Sequence, residues 1–286
     1  MDTVRARPLV ALAAALGVGL SGGASTAADL GYRAQPSVPV FTEVDPNTWV
    51  VTVTGTFAAG PRYPGASSYS PFGYPSLDIR RAGDPRRFSA PDDGFSFSLY
   101  DSDVLRVGPT LRYVPGRYYG DDRRHLFGFR DARFAVEPGV FLELYPVPNI
   151  RTRVELRHGV YGHHGFVGTV GADYLVPVER FQFSFGPRFN VGDEAFARRY
   201  FSVEPFEAAL NGRVLPYRAD NFFSAGVVGA VTYAPDATWA YTLYAGYSRI
   251  LGSSADSPLV RRPFGDPNQY TIGVKVDYSF TTPALF

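Results

Sequence analysis

Three histidines crowd one loop: His158, His163 and His164. Imidazoles at this spacing could begin a metal site, but zinc sites are completed by Cys, Asp or Glu. The chain has no Cys, and Glu155, the acidic residue nearest in sequence, falls on a predicted strand. Solvated or hydrogen-bonded loop histidines are therefore expected, not ligands. Asp92-Asp93, Asp101, Asp103 and Asp121-Asp122 could attract a divalent cation, yet the alternating ligand spacing of a calcium loop is absent. They read as solvated loop charge. Beyond residue 28 there is no Gly-x-Ser-x-Gly, no His-Glu-x-x-His and no glycine-rich phosphate loop. A hydrolase assembled from Ser, His and an acid on separate strands stays open as a third function class. No catalytic, metal or cofactor residue is assigned, and the chain reads as non-enzymatic.

The other residues with chemical potential are charges arranged by strand periodicity. Arg151, Arg153, Glu155 and Arg157 share one face, while Thr152, Val154 and Leu156 share the other. Phe181, Phe183, Phe185 and Phe189 share a face with Pro187, opposite Gln182, Ser184, Gly186, Arg188 and Asn190. Successive strand side chains point to opposite sides, so these are two-faced strands. A face with full charges opposite an aromatic one suits a barrel that is wet inside and apolar outside. On the same alternation the expected lumen-facing charges are Arg106, Arg112, Glu137, Glu143, Arg151, Arg153, Glu155, Arg157, Asp173, Arg188, Lys275 and Asp277. Both signs are present in comparable numbers. A selective channel more naturally presents rings of one sign, so cross-strand ion pairs filling a narrow lumen are the expectation.

Composition sets the frame for these strands. Of 286 residues, 45% are hydrophobic and 15% aromatic, with 19 Tyr and 23 Phe against a single Met. That balance favours sheet over helix. Arg5 and Arg7, the apolar run Leu9–Leu20 and the small residues Ala24–Ala28 follow the order of a secretory signal peptide, with cleavage expected after Ala28. The run is too short to span a bilayer, which needs roughly 20 apolar residues. Removing residues 1–28 takes away Arg5, Arg7 and Asp2, leaving 26 basic and 26 acidic residues. A neutral mature chain offers no electrostatic case for nucleic acid. Any membrane crossing must use strands, because no later segment has the length of an apolar membrane helix.

Eleven strand candidates follow one another from Trp49–Phe57 to Gln269–Phe280. Residues 29–47 form a leader and 281–286 a short tail. Short turns (Pro146–Asn149, Pro177–Glu179, Ala234–Thr238) alternate with longer segments (115–131, 159–165, 191–219, 251–266), as periplasmic turns alternate with extracellular loops in outer-membrane barrels. Glu194–Tyr200 and Phe206–Leu210 are each expected to form a helical turn inside the longest loop. With both chain ends in the periplasm the strand number must be even. Either Val38–Val44 supplies a twelfth strand or one weak candidate drops out, leaving ten. The expected fold is therefore all-β: a transmembrane antiparallel barrel of about 12 strands over residues 48–280, with 10 as the alternative, lying in outer-membrane lipid.

The order of motifs resembles the MipA/OmpV family of outer-membrane proteins. The matching pieces are Pro61-Arg-Tyr-Pro-Gly65, Val107-Gly-Pro109 with Tyr113 and Gly116-Arg117, and Gly162-His-His-Gly165 followed by Gly171-Ala-Asp-Tyr174. Gly186-Pro-Arg188, Tyr200-Phe201-Ser-Val203 with Pro205, and Asp256-Ser-Pro-Leu-Val260 continue the series. Ser202 stands where the family has glycine, and the chain runs past Phe280 to Phe286. The resemblance implies an outer-membrane location. For the family's namesake it implies a scaffold joining a lytic transglycosylase to a murein synthase; other members are linked to osmotic or salt response. It brings no catalytic residues. A narrow channel or small-solute pore is the alternative function.

Overall fold

Strict alternation of polar and apolar residues builds a wall of twelve strands in the computed structural model. They are β1 (Thr48–Pro61), β2 (Tyr69–Arg81), β3 (Phe95–Ser96), β4 (Tyr100–Asp101), β5 (Leu105–Val114), β6 (Ala135–Val147), β7 (Ile150–His158), β8 (Phe166–Val178), β9 (Phe181–Gly192), β10 (Phe222–Tyr233), β11 (Trp239–Leu251) and β12 (Asn268–Pro283). The structure describes residues 48–82 and 86–283, all within the unit Ala34–Phe286. The expected signal peptide, the leader with Val38–Val44 and the end of the tail lie outside the described residues. No helix among the described residues is long and apolar enough to cross a membrane.

Each strand pairs antiparallel with the next, and β1 pairs with β12, so first and last strands meet in the order β2-β1-β12-β11-β10-β9-β8-β7-β6-β5-β3. Outward positions such as Phe57, Phe185, Leu243 and Ile272 are apolar and exposed, whereas Thr52, Thr54 and Thr56, one residue out of phase, are buried. That is the pattern of a wall with lipid outside and polar contacts inside. The last strand runs three residues beyond Phe280, with Thr48 opposite Pro283.

β3 and β4 are two pieces of one stave. Phe95 faces Leu111 and Tyr100 faces Val107, so the register slips by one residue between them, a β-bulge. Backbone bonds Phe97 N to Pro109 O (3.1 Å) and Leu99 N to Val107 O (2.9 Å) carry the pairing through. Gly108 permits it, since a Cβ there would lie 1.8 Å from the Phe97 carbonyl oxygen.

Eleven staves in antiparallel order leave β2 and β3–β4 running in the same direction. Among the described residues parity is met without a twelfth stave: residues 86–94 travel back along the barrel. They do so on its inner side, where Arg86 reaches Asp277 on β12, Asp92 reaches Arg188 on β9 and Asp93 reaches Arg151 on β7. Composition explains the route. Arg86 and Asp92 share one parity, Arg87 and Asp93 the other, and Pro91 lacks an N–H. Neither face of such a strand could meet lipid.

Apart from the β2–β3 connection, the long connections gather at the end opposite the short turns and pack into a cap. Helix α1 (Glu194–Phe201) starts where the Asp193 side chain accepts from Phe196 N. Helix α2 (Pro205–Asn211) has a Glu204/Glu207 capping box, Pro205 in its first turn and Gly212 in the left-handed region at its end. α1 buries Phe196, Ala197, Tyr200 and Phe201 against Ala132, Ala219, Ile250 and Val260; Tyr63, Leu126, Phe129, Val203, Leu259 and Phe264 form a second cluster beside it. A third short helix, α3 (Gly252–Ala255), follows β11.

Candidate functional site: the charged lumen

Cross-strand register sets the charges against one another. Arg106 lies opposite Glu143, Glu143 opposite Arg153, and Arg151 opposite Asp173. Glu143 is the hub. It accepts from Arg106 Nη1 (3.0 Å), Arg151 Nη2 (2.6 Å), Arg153 Nη1 (3.0 Å) and the Tyr145 hydroxyl (2.9 Å). Arg151, only 1% exposed, also donates through Nη1 to Asp173 (2.8 Å), which receives Arg188 Nη2 at 2.7 Å. Glu155 accepts from Arg153 Nε (2.8 Å), from Arg157 and more distantly from Arg112 (3.4 Å). Arg157 Nε then donates to Glu137 (3.0 Å). Arg112, although opposite Glu137 in register, leans to Glu155 instead.

The returning segment completes this network. Asp92 receives Arg188 in a two-bond fork (2.7 and 3.0 Å), and its carbonyl accepts from Arg112 (2.9 Å). Asp93 receives Arg151 Nη2 at 2.6 Å and lies 3.7 Å from Arg153 Nε. The Phe88 ring lies 5.4 Å from the Arg151 guanidinium. Counting the β5–β9 wall with Asp92 and Asp93 of the returning segment, six arginines (106, 112, 151, 153, 157, 188) face six carboxylates (92, 93, 137, 143, 155, 173). Balance of this kind lets desolvated charges persist, because each has an opposite partner and hydrogen bonds in good geometry. The expectation of solvated loop charge at Asp92 and Asp93 is thus corrected. Sequence held one signal for them: an odd number of staves forces a return.

The histidines diverge. His163, 3% exposed, presents Nε2 to Glu137 at 2.9 Å, and its Nδ1 accepts from Gly165 N at 3.1 Å. Its ring packs on Phe196 and Tyr200 of α1 and so joins cap to network. His158 stacks beside Phe166, and His164 is exposed. Among the described residues no three His, Cys, Asp or Glu converge on a metal position.

The remaining two charges on the list stand on the opposite wall. Asp277 accepts from Thr54 Oγ1 (2.6 Å) and from Arg86 (2.5 Å). Lys275 lies between Thr56 and Thr242 in register and has no ion-pair partner among the described residues. Around them this wall is hydroxyl-lined, with Thr52–Ser279 and Thr232–Thr242 contacts of 2.8 Å each.

In the cap, Asp122 is the main electrostatic feature. Burial alone would raise its carboxyl. Hydrogen bonds from Ser68 (2.5 Å) and with His125 Nδ1 (2.7 Å) outweigh it and hold the group below the ordinary aspartate range.

Residues 53–280 match the model of the family described as MltA-interacting protein MipA. The chain belongs to the MipA family. It is an outer-membrane β-barrel protein, and within this MipA-family barrel the match spans all staves from β1 to β12. A search of curated proteins gives no match. Among solved structures, an outer-membrane channel of Pseudomonas putida F1 is similar at a TM-score of 0.43 and 10% identity, covering 85% of this chain and 99% of that one. The outer-membrane channel DcaP of Acinetobacter baumannii gives 0.33 and 10%, covering 82% and 96%. At these scores nothing about function passes from those channels to this MipA-family chain.

Proposed function

We propose that this chain is a filled, non-enzymatic barrel with a scaffolding role in the outer membrane. Its short-turn rim would organise peptidoglycan-remodelling enzymes, of the kind the family name points to in a lytic transglycosylase and, by resemblance, a murein synthase. One observation carries the reading: residues 86–94 occupy the lumen, clamped by Asp92 to Arg188 and by Asp93 to Arg151. A barrel whose interior is spent on its own ion pairs has more to offer at its rim than through its middle. Chemical crosslinking of intact envelopes, followed by purification of the barrel, is the test. Co-purification of a lytic transglycosylase or a penicillin-binding protein supports the scaffold. Deletion of the barrel with those complexes unchanged counts against it.

A second reading, a narrow channel, draws on a different observation: the hydroxyl-lined wall with Lys275, which has no ion-pair partner among the described residues. It predicts ion currents across a planar bilayer from the unmodified barrel, and their absence would leave the scaffold alone.

A further inference from the structure

The ladder that runs from β2 round to β3 does not close on itself: among the described residues no strand pairing joins β2 to β3 or β4. Backbone geometry tells which groups face this seam. Arg62 N to Ser68 O (3.1 Å) and Ala82 N to Thr48 O (2.9 Å) bracket the β1–β2 pair. Bonded pairs in an antiparallel ladder recur every second residue. With Thr52 opposite Asp78, the even-numbered residues of β2 bond to β1 and the odd-numbered ones, 71 to 79, point at the seam. Pro71 and Pro75 are both odd, so two donors have been removed from this edge. On the other lip, Phe97 and Leu99 bond to β5, which turns the backbone of Gly94, Ser96 and Ser98 toward the seam. The Tyr74 and Phe95 rings touch across it, centroids 6.1 Å apart.

The two sides of the seam differ in chemistry. Outward stand Leu77 (58% exposed), Phe97 (61%) and Leu99 (76%). Inward on β2 stands Asp78, exposed and without an ion-pair partner among the described residues, while the inward carboxylates Glu137, Glu143, Glu155, Asp173 and Asp277 are all paired. Bare backbone N–H and C=O groups at bilayer depth are costly, so this edge calls for a polar partner on a path whose outer lips are apolar. An amphiphile meets both demands, and a lone carboxylate selects an ammonium head.

We propose that the seam between β2 and β3–β4 binds an aminophospholipid. Its acyl chains lie over Leu77, Phe97 and Leu99, its ammonium meets Asp78, and its phosphate accepts from the seam-facing N–H groups of Leu77 and Ile79. Asp78 sits near the end of β2 that carries the short turns, the periplasmic end of such barrels.

The test places a benzophenone amino acid at position 76, inward, in the full-length barrel in nanodiscs containing equal phosphatidylethanolamine and phosphatidylglycerol. Position 77, outward, and position 242, inward on the far wall, serve as controls, and adducts are read by mass spectrometry. Capture at 76 but not 242, with phosphatidylethanolamine favoured roughly tenfold and the preference lost in Asp78→Asn, is expected. Lipid adducts at 77 but none at 76 would overturn the proposal, as would capture at 76 with no preference that depends on Asp78. Asp78 is exposed, so its substitution leaves the fold intact; a heat-shifted gel band checks this for each variant.

Discussion

The barrel has two unlike half-walls. From β5 to β9 the inner face is arginine and carboxylate, each group held by two or more partners. From β10 through β12 to β1 it is mainly threonine, serine, alanine and glycine, with Asp277 and Lys275 its charges, and Tyr244 lies across Gly273 toward Ala58 and Ala230. A Cβ at Gly273 would stand 2.6 Å from the Tyr244 hydroxyl oxygen. The return segment leans mainly on the charged half, through Asp92 and Asp93, with Arg86 its reach to the other. Charge recruits the plug.

Breaking the hub should separate the halves most sharply. Glu143→Gln keeps the shape but removes the charge that Arg106, Arg151 and Arg153 share. Leaving this buried network one carboxylate short of its guanidinium groups costs about 3–5 kcal/mol. Thr242→Val, which removes only the hydroxyl contact with Thr232, should cost about 1 kcal/mol. Urea titrations of the folded barrel in detergent, followed by the heat-shifted gel band, compare the two. Equal losses would mean that the charged wall is no more cooperative than the hydroxyl wall.

Next in size is the clamp itself. Asp92→Asn with Asp93→Asn weakens the hold of Arg188 and Arg151 on the return segment, at a cost of about 1–3 kcal/mol for the charged hydrogen bonds lost. Because the chain has no native cysteine, Ser89→Cys gives a single thiol inside the segment. Its labelling by an aqueous maleimide should rise at least roughly tenfold in the double variant, the population shift that about 1.4 kcal/mol brings. Unchanged labelling would show that Phe88 and Arg86 hold the segment without the carboxylates.

Much of this fold was legible before any coordinates. Alternation such as Phe181–Phe183–Phe185 against Gln182–Ser184 is local, and lipid outside with water inside imposes it on every stave. The short turns and the helical turns at Glu194 and Phe206 were legible for the same reason: capping and turn chemistry act within a few residues. Residues 86–94 were not. Their proline and aspartate content says loop, and whether a loop points outward or inward depends on partners sixty to a hundred positions away, such as Asp93 with Arg151 and Asp92 with Arg188. The bulge between β3 and β4 was hidden likewise, because it depends on Gly108 of a neighbouring strand. His163 reads as one of three loop histidines, and only its contact with Glu137, 26 positions back, sets it apart.

The cap offers a smaller, pH-dependent contrast. Asp122, held below the ordinary range by Ser68 and His125, ties the β1–β2 connection to the segment before β6. A depressed carboxyl contributes stability above its unfolded value, roughly pH 4, and that contribution disappears as pH falls through the lower folded value. Amide hydrogen exchange in residues 118–131, corrected for intrinsic rates, should therefore accelerate on going from about pH 5 to about pH 2.5. Asp122→Asn should exchange faster already at the higher pH, by an amount matching about 1 kcal/mol, and respond less to acid. An identical acid response in the variant would move the effect to another group.

The smallest expected effect bears on the hydroxyl wall. Lys275 has Thr56 and Thr242 as register neighbours and no carboxylate within ion-pair distance among the described residues. Lys275→Met removes a charge that no observed contact requires, so the urea midpoint should shift by less than about 0.5 kcal/mol in free-energy terms. A loss several times larger would reveal that the lysine is held by ordered water or by the return segment, and the contrast between the half-walls would narrow. The same variant speaks to conduction. If ions pass along the hydroxyl wall, an unpaired ammonium on that path favours anions, and its removal should lower anion selectivity in a planar bilayer even though stability is unchanged. If the plugged barrel carries no current before or after the substitution, the hydroxyl-lined half is packing space for residues 86–94, and Lys275, unpaired among the described residues, is solvated without a transport role.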